Sequence, residues 1–77
     1  MNFPKEIRVL VKVPKERESF VQSILEGYDG LVTILSTQKL RHEIEMLISS
    51  INYQKDELWE ILENLALEIP LSFREVS

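Results

Sequence analysis

The sequence predicts an α+β fold in which two helices cover one face of a four-stranded antiparallel sheet. Two kinds of apolar pattern support this class. Short segments alternate apolar with polar residues or are rich in β-branched residues, as strands are, whereas two longer segments place apolar residues three and four apart, as amphipathic helices do. The segments follow in the order strand, helix, strand, strand, helix, strand.

The first strand and the first helix meet at a proline. In IRVLVKV every second residue is Ile or Val, which is the period of a half-buried strand. From Lys15 the spacing becomes helical, and the apolar stripe consists of Phe20, Val21, Ile24, Leu25 and Tyr28. Pro14 suits the junction because its fixed φ fits a first helical turn, where its missing N–H costs nothing. Gly27 or Gly30 then supplies the left-handed residue that ends the helix.

A hairpin and a second helix follow. The β-branched segment LVTILST predicts the second strand, and LRHEIEMLISS predicts the third after a turn near Gln38 and Lys39. Helical spacing returns in YQKDELWEILENLALE, which Pro70 ends. The last strand, LSFREV, is short and follows a proline, which favours a sheet edge. We interpret Tyr53 and Trp59 as core packing beside the second helix, with anchoring of an interface as the alternative.

Length and composition favour one domain over residues 1–77. A chain of this size, if split, would leave pieces too small to bury a core. The absence of cysteine excludes disulfides, thiolate nucleophiles and cysteine-based metal sites. Charges interrupt the first segment, MNFPKEIRVLVKVPKE, so it lacks the apolar run of a signal peptide or membrane span. We therefore expect a cytoplasmic protein with no membrane partner.

The net charge of −4 is unevenly distributed. Residues 42–77 contain eight Asp or Glu against two Lys or Arg. Four of these carboxylates share the predicted solvent side of the second helix: Asp56, Glu57, Glu60 and Glu63. Because such a surface repels phosphate backbones, we expect no nucleic-acid partner.

The residues that usually carry chemistry are not grouped as a site would need. The loop VPKERES contains no His or Cys for a metal, and Arg17 stands there without the glycines of an anion-binding loop, so we expect it to be solvent-exposed. His42 is the sole histidine and has no nucleophile at a suggestive spacing. The outward positions of the central strands lack the aromatic residues that would stack RNA bases. We therefore predict no catalytic residue, no metal and no cofactor, and hence no enzyme.

Right-handed crossovers would place the strands in the order 4-1-3-2 with both helices on one face, the ferredoxin-like βαββαβ arrangement. In this layout VLVKV, ESFVQSIL, GLVTILS, HEIEMLIS and ELWEILENL resemble the successive elements of the ACT family of small regulatory domains. The resemblance implies pairing between subunits and, in many members, amino-acid binding near the loop after the first strand.

That loop departs from the family pattern. PKERESF retains Pro14, but charged residues occupy the positions where a glycine would let the backbone approach a ligand, so the loop does not support binding. The stretches LEGYDGLVTILS and ALEIPLSF also resemble a family of short bacterial proteins of unknown function. That second resemblance implies a fold and no activity.

A leucine stripe points to an interaction surface. If the Ile and Val of the first strand face the helices, the opposite sheet face carries leucines on three adjacent strands: Leu10, Leu31, Leu35 and Leu47. The favoured register sets Leu10 against Leu47 and Lys12 against Glu45, with an apolar centre and a charged rim.

We therefore expect a small homodimeric interaction or regulatory module, with a different protein partner or an unoccupied patch as the alternatives for that face. A second hypothesis is an ACT-like sensor that binds a small metabolite, such as an amino acid, at the subunit interface.

Overall fold

The computed structural model describes residues 5–28 and 30–76, with the Asn52 side chain excepted. It contains four strands and two α-helices in the predicted order: β1 (Glu6–Pro14), α1 (Glu18–Glu26), β2 (Thr33–Lys39), β3 (Glu43–Ile51), α2 (Lys55–Glu68) and β4 (Ser72–Glu75). A 3-10 turn precedes each α-helix, at Lys15–Arg17 and at Asn52–Gln54.

The four strands form one sheet in the order β2-β3-β1-β4, which is β4-β1-β3-β2 when read from the other edge. Every neighbouring pair is antiparallel. The two central strands have nine residues each, whereas β4 at its edge has four. The chain is therefore an α+β protein built on an open antiparallel sheet.

One apolar cluster joins the helices to the sheet. It contains alternate residues of β1 and β3 together with Val21 and Leu25 of α1 and Leu58 and Leu62 of α2. Because residues of both helices share this cluster with the same side of the central strands, the helices lie over one face of the sheet. Full burial of an aliphatic side chain contributes about 1.5–3 kcal/mol, so this cluster dominates the stability of the fold.

The first helix differs in detail from the prediction. The 3-10 turn separates Pro14 from α1, and the helix ends at Glu26 with Gly27 still in the right-handed region. Gly30, at φ 83°, is the left-handed residue. Phe20 and Tyr28 are 46% and 40% exposed, so the predicted stripe was too wide. A helix of nine residues presents one narrow line to the sheet, which Val21 and Leu25 fill.

The hairpin turn lies later in the chain than predicted. The β2–β3 pairing continues to Lys39 opposite Ile44, so Gln38 and Lys39 lie in the strand, and the turn falls at residues 40–42. The Leu40 N–H donates to the Glu43 carbonyl at 2.8 Å and closes the turn. The predicted position was two residues early.

Aromatic and charged side chains of α2 pack against β4. The rings of Trp59 and Phe73 meet edge to face, with centroids 5.5 Å apart. Lys55 Nζ lies 5.4 Å from the Trp59 ring centroid and 2.6 Å from a carboxylate oxygen of Glu75. Trp59 is therefore part of the packed structure, as predicted, but Tyr53 is 72% exposed and that prediction was wrong. Tyr53 falls in the 3-10 turn before α2, away from the helix face that packs on the sheet.

Candidate functional site

The surface of the sheet that faces away from the helices is the strongest candidate for a functional site. We call it the open face, defined by the outward residues of the two central strands: Arg8, Leu10, Lys12, Glu45, Leu47 and Ser49. Their arrangement follows from strand alternation, because the intervening residues of β1 and β3 are the fully buried members of the core.

The register of the central pair is the predicted one. Leu10 lies opposite Leu47, Lys12 opposite Glu45 and Arg8 opposite Ser49. The pairing of β1 with β3 is not shifted by two residues, which would have set Leu10 opposite the carboxylate of Glu45. Both leucines are half-buried, although no helix covers this side of the sheet. Two adjacent strands thus place an apolar pair at the middle of an otherwise polar surface.

A β-bulge shapes the neighbouring edge strand. Ile34 pairs with Ile48 and Ser36 pairs with Leu47, so Leu35 is the extra residue of the bulge. In a bulge, two residues of one strand oppose a single residue of the other, and Leu35 and Ser36 together oppose Leu47. Leu35 is 43% exposed. We call Leu10, Leu35 and Leu47 the leucine centre.

Leu31 lies outside the strand, at the end of this surface. It precedes β2, in the turn after Gly30, and is only 7% exposed. The predicted strand start at Leu31 was two residues early, but Leu31 lines a cleft with Thr33 and Ser49, which pair across the ladder. Leu31 is therefore covered at the end of the open face and not exposed on it.

Charged side chains border the leucine centre. Lys12 Nζ lies 3.5 Å from a carboxylate oxygen of Glu45, with the two side chains 41% and 19% exposed. On the other flank, Arg8 is exposed beside Ser49. Across β4, Arg74 pairs with Leu10 and is also exposed. Basic side chains therefore occupy β1 and β4 beside the leucine centre, whereas acidic side chains lie on β3 at Glu45 and at the start of β1 at Glu6, whose carboxylate accepts from the Ser49 hydroxyl.

A cleft of 420 Å³ opens at the end of the sheet where β2 leaves β3. Its lining is mixed, with Glu6, Gly30, Leu31, Thr33, Ser49, Ser50 and Ile51. The Ser49 hydroxyl donates to a Glu6 carboxylate oxygen at 2.5 Å. Ser50 is 4% exposed, and its Oγ has no hydrogen-bond partner among the described residues. The sequence does not indicate this cleft, because nothing in the residue pattern marks where β2 diverges from β3.

In the first loop, Lys15, Glu16 and Arg17 are exposed, as expected for Arg17. The Lys15 N–H donates to the His42 carbonyl at 3.3 Å, which ties the end of β1 to the hairpin turn through the backbone. His42 itself is exposed in that turn. The acidic residues of α2, from Asp56 to Glu63, are also exposed, as their spacing predicted.

Among residues 5–28 and 30–76, no three His, Asp or Glu side chains are grouped closely enough to hold a metal ion. No helix in the described part of the chain combines the length and apolar character needed to cross a membrane. Comparison with known proteins found no matching family model, no matching curated protein and no matching solved structure.

Proposed function

We propose that the chain is a noncatalytic interaction or regulatory module with a ferredoxin-like arrangement, and that it forms a homodimer through its open face. The observation that carries the proposal is the register of the central strands, which sets Leu10 beside Leu47 and borders them with the Lys12–Glu45 ion pair. An apolar centre within a polar rim is the usual anatomy of a protein interface.

The charge pattern favours a second copy of the same chain as the partner. Arg8 and Lys12 make β1 basic, whereas Glu45 makes the adjacent part of β3 acidic. A partner with a surface of one sign would be attracted by one strand and repelled by the other. A second open face offers both signs and can set its own Glu45 against Lys12, which is the condition for a self-complementary two-fold interface.

The edges of the sheet are less suited to association. Strand addition needs a long, regular edge with free backbone groups. The bulge at Leu35 distorts β2, and β4 has only four residues. The open face is therefore better suited to association than either edge of the sheet, and dimerisation there leaves the helices free.

The test is the double variant Leu10→Lys with Leu47→Glu. The two new side chains are cross-strand neighbours of opposite charge, so the sheet should tolerate them, while the apolar centre of the interface is lost. We expect a folded protein by circular dichroism and a change in mass from dimer to monomer by light scattering. Leu67→Lys is the matched control, because Leu67 is 85% exposed on α2 and should leave the dimer intact.

Two results would contradict the proposal. One is a wild-type chain that is monomeric at high micromolar concentration. The other is a double variant that still dimerises, which would move the interface to the helices or to an edge strand.

The second candidate function is that of a small-metabolite sensor, and the cleft at the end of the sheet is the observation that favours it. Glu6, Ser49 and Thr33 offer a carboxylate and two hydroxyls beside the apolar walls of Leu31 and Ile51. Thermal-shift screening against amino acids and nucleotides tests this function, since a ligand at ~100 times its dissociation constant adds ~2.7 kcal/mol to stability. Glu6→Gln should abolish any such shift, and a shift that survives it would place the ligand elsewhere.

A further inference from the structure

We propose that the two-fold axis of this dimer runs parallel to the strands and passes between β1 and β3, so that Lys12 of each chain meets Glu45 of the partner. This inference rests on the proposed function, because it specifies how two open faces meet. It follows from the positions of charges in the strand ladder and from the symmetry of a face-to-face pair.

The ladder divides the open face into rows at successive heights along the strands. One row contains Lys12 and Glu45, the next contains Leu10 and Leu47, and the third contains Arg8 and Ser49. In the first and third of these rows the basic residue is on β1, and the row beyond Arg8 has Glu6 on β1 opposite Ile51, with the Glu6 carboxylate hydrogen-bonded to Ser49. In the row of Lys12 and Glu45 the two strands are therefore opposite in sign at the same height.

Rotation about a two-fold axis parallel to the strands leaves each residue at the same height along the strands and exchanges the left and right edges of the sheet. If it passes between β1 and β3, it lays β1 of one chain over β3 of the partner. Lys12 then lies over the partner's Glu45, and Leu10 lies over the partner's Leu47. Leu10 and Leu47 of the two chains then form an apolar centre beside a cluster of two lysines and two glutamates.

The other two-fold arrangements bring like charges together. An axis perpendicular to the strands that passes through the row of Leu10 and Leu47 reverses the order of the rows. It lays Arg8 over the partner's Lys12 and Arg74 over the partner's Arg74. An axis parallel to the strands but centred on β1 lays Lys12 over its own copy, and one centred on β3 does the same with Glu45. Like charges in contact across an interface select against these arrangements.

The geometry of sheet packing is compatible with this contact. Aligned sheets pack about 10 Å apart with their strands rotated by roughly 30°. Lys12 is two residues from Leu10, about 7 Å along the strand, so that rotation displaces it sideways by only ~3–4 Å. The length of a lysine side chain covers this offset, and Lys12 is 41% exposed and free to turn towards the partner.

Reversing the charge at position 12 distinguishes the arrangements by sign. With the axis parallel to the strands, Lys12→Glu sets a carboxylate against Glu45 of the partner, and the dimer dissociation constant should rise about tenfold or more. With the perpendicular axis, the same variant would set a carboxylate against Arg8 of the partner and tighten the dimer. Sedimentation equilibrium measures either change directly.

A mixing experiment isolates the contact between chains. Lys12→Glu and Glu45→Lys each lose the ion pair within one chain, and each homodimer carries like charges across the interface. An equimolar mixture restores attraction only between unlike chains. We expect native mass spectrometry to show the heterodimer in excess over both homodimers, with a dissociation constant near that of the wild type.

Lys15→Glu is the matched control, because it makes the same charge change at an exposed position outside the open face. Circular dichroism melts verify that each variant is folded. A tightened Lys12→Glu dimer, a Lys12→Glu dimer no weaker than the control, or a statistical mixture of dimers would overturn the axis while leaving a sheet-face dimer in place. A monomeric wild type would overturn both the axis and the proposed function.

Discussion

Truncation of Val11 gives a quantitative test of which sheet face is the core. Val11 is fully buried, opposite Met46 on β3 and Phe73 on β4. Val11→Ala removes two methyl-sized groups, worth ~0.8 kcal/mol each in transfer free energy, and leaves a cavity that the neighbouring strands cannot fill. We expect a loss of about 2–3 kcal/mol, out of a total of roughly 4–12 kcal/mol for a chain of this length.

The assay is urea unfolding followed by Trp59 fluorescence, supported by thermal melts, in which each kcal/mol shifts the melting temperature by about 4–8 °C. Protein concentration must be held constant, because dimerisation adds a concentration-dependent stabilisation. Leu67→Ala is the control: it removes more atoms than the test variant, but from a side chain that is 85% exposed. Its free energy of unfolding should stay within ~0.5 kcal/mol of the wild type.

Val11→Asp is a more severe change at the same buried position. A carboxyl group at this position has no hydrogen-bond donor prepared for it, and its burial costs several kcal/mol in addition to the lost apolar contact. We expect no cooperative transition. The assignment of the core face is wrong if Val11→Ala lowers the free energy of unfolding no more than Leu67→Ala does. It is also wrong if Val11→Asp melts cooperatively near the wild-type temperature.

Three further predictions concern single sites. Met46→Asp, on the strand next to Val11, should also unfold the domain, which the loss of the circular dichroism signal would show. Lys15→Ala and Arg17→Ala should leave stability within ~0.5 kcal/mol in urea titrations, and a larger loss would mean that the first loop has a structural role. Ser50→Ala removes a buried hydroxyl that has no partner among the described residues, so unfolding should show equal or higher stability, and a loss above ~1 kcal/mol would contradict this account.

The central pair of strands could be predicted because several independent signals agree there. Alternation assigns Val11 to the core, and only one register then pairs Leu10 with Leu47 and Lys12 with Glu45. Each signal arises from residues that pair directly across the ladder. The element order and the acidic side of α2 were likewise encoded in local periodicity.

The details of β2 could not be predicted from the same signals. A bulge inserts a residue without a change in composition, and neither Leu35 nor Ser36 is a residue that requires one. The strand also starts at Thr33, two residues after Leu31, and extends through Lys39. The cleft beside Ser50 depends on where two chain segments separate, which is a tertiary property with no local pattern.

The position of β1 in the sheet has a consequence for the order in which the chain can fold. This central strand pairs with β3 and β4, both of which come later in the sequence, so it cannot complete its ladder until Glu75 has been synthesised. At about 5–20 residues per second, the roughly 60 residues that follow Pro14 take ~3–12 s to translate. Until then, at least one edge of a β-branched segment with strong strand propensity lacks its partner strand. Arg8 and Lys12 interrupt its apolar run, and charges at such positions oppose aggregation before the native partners arrive.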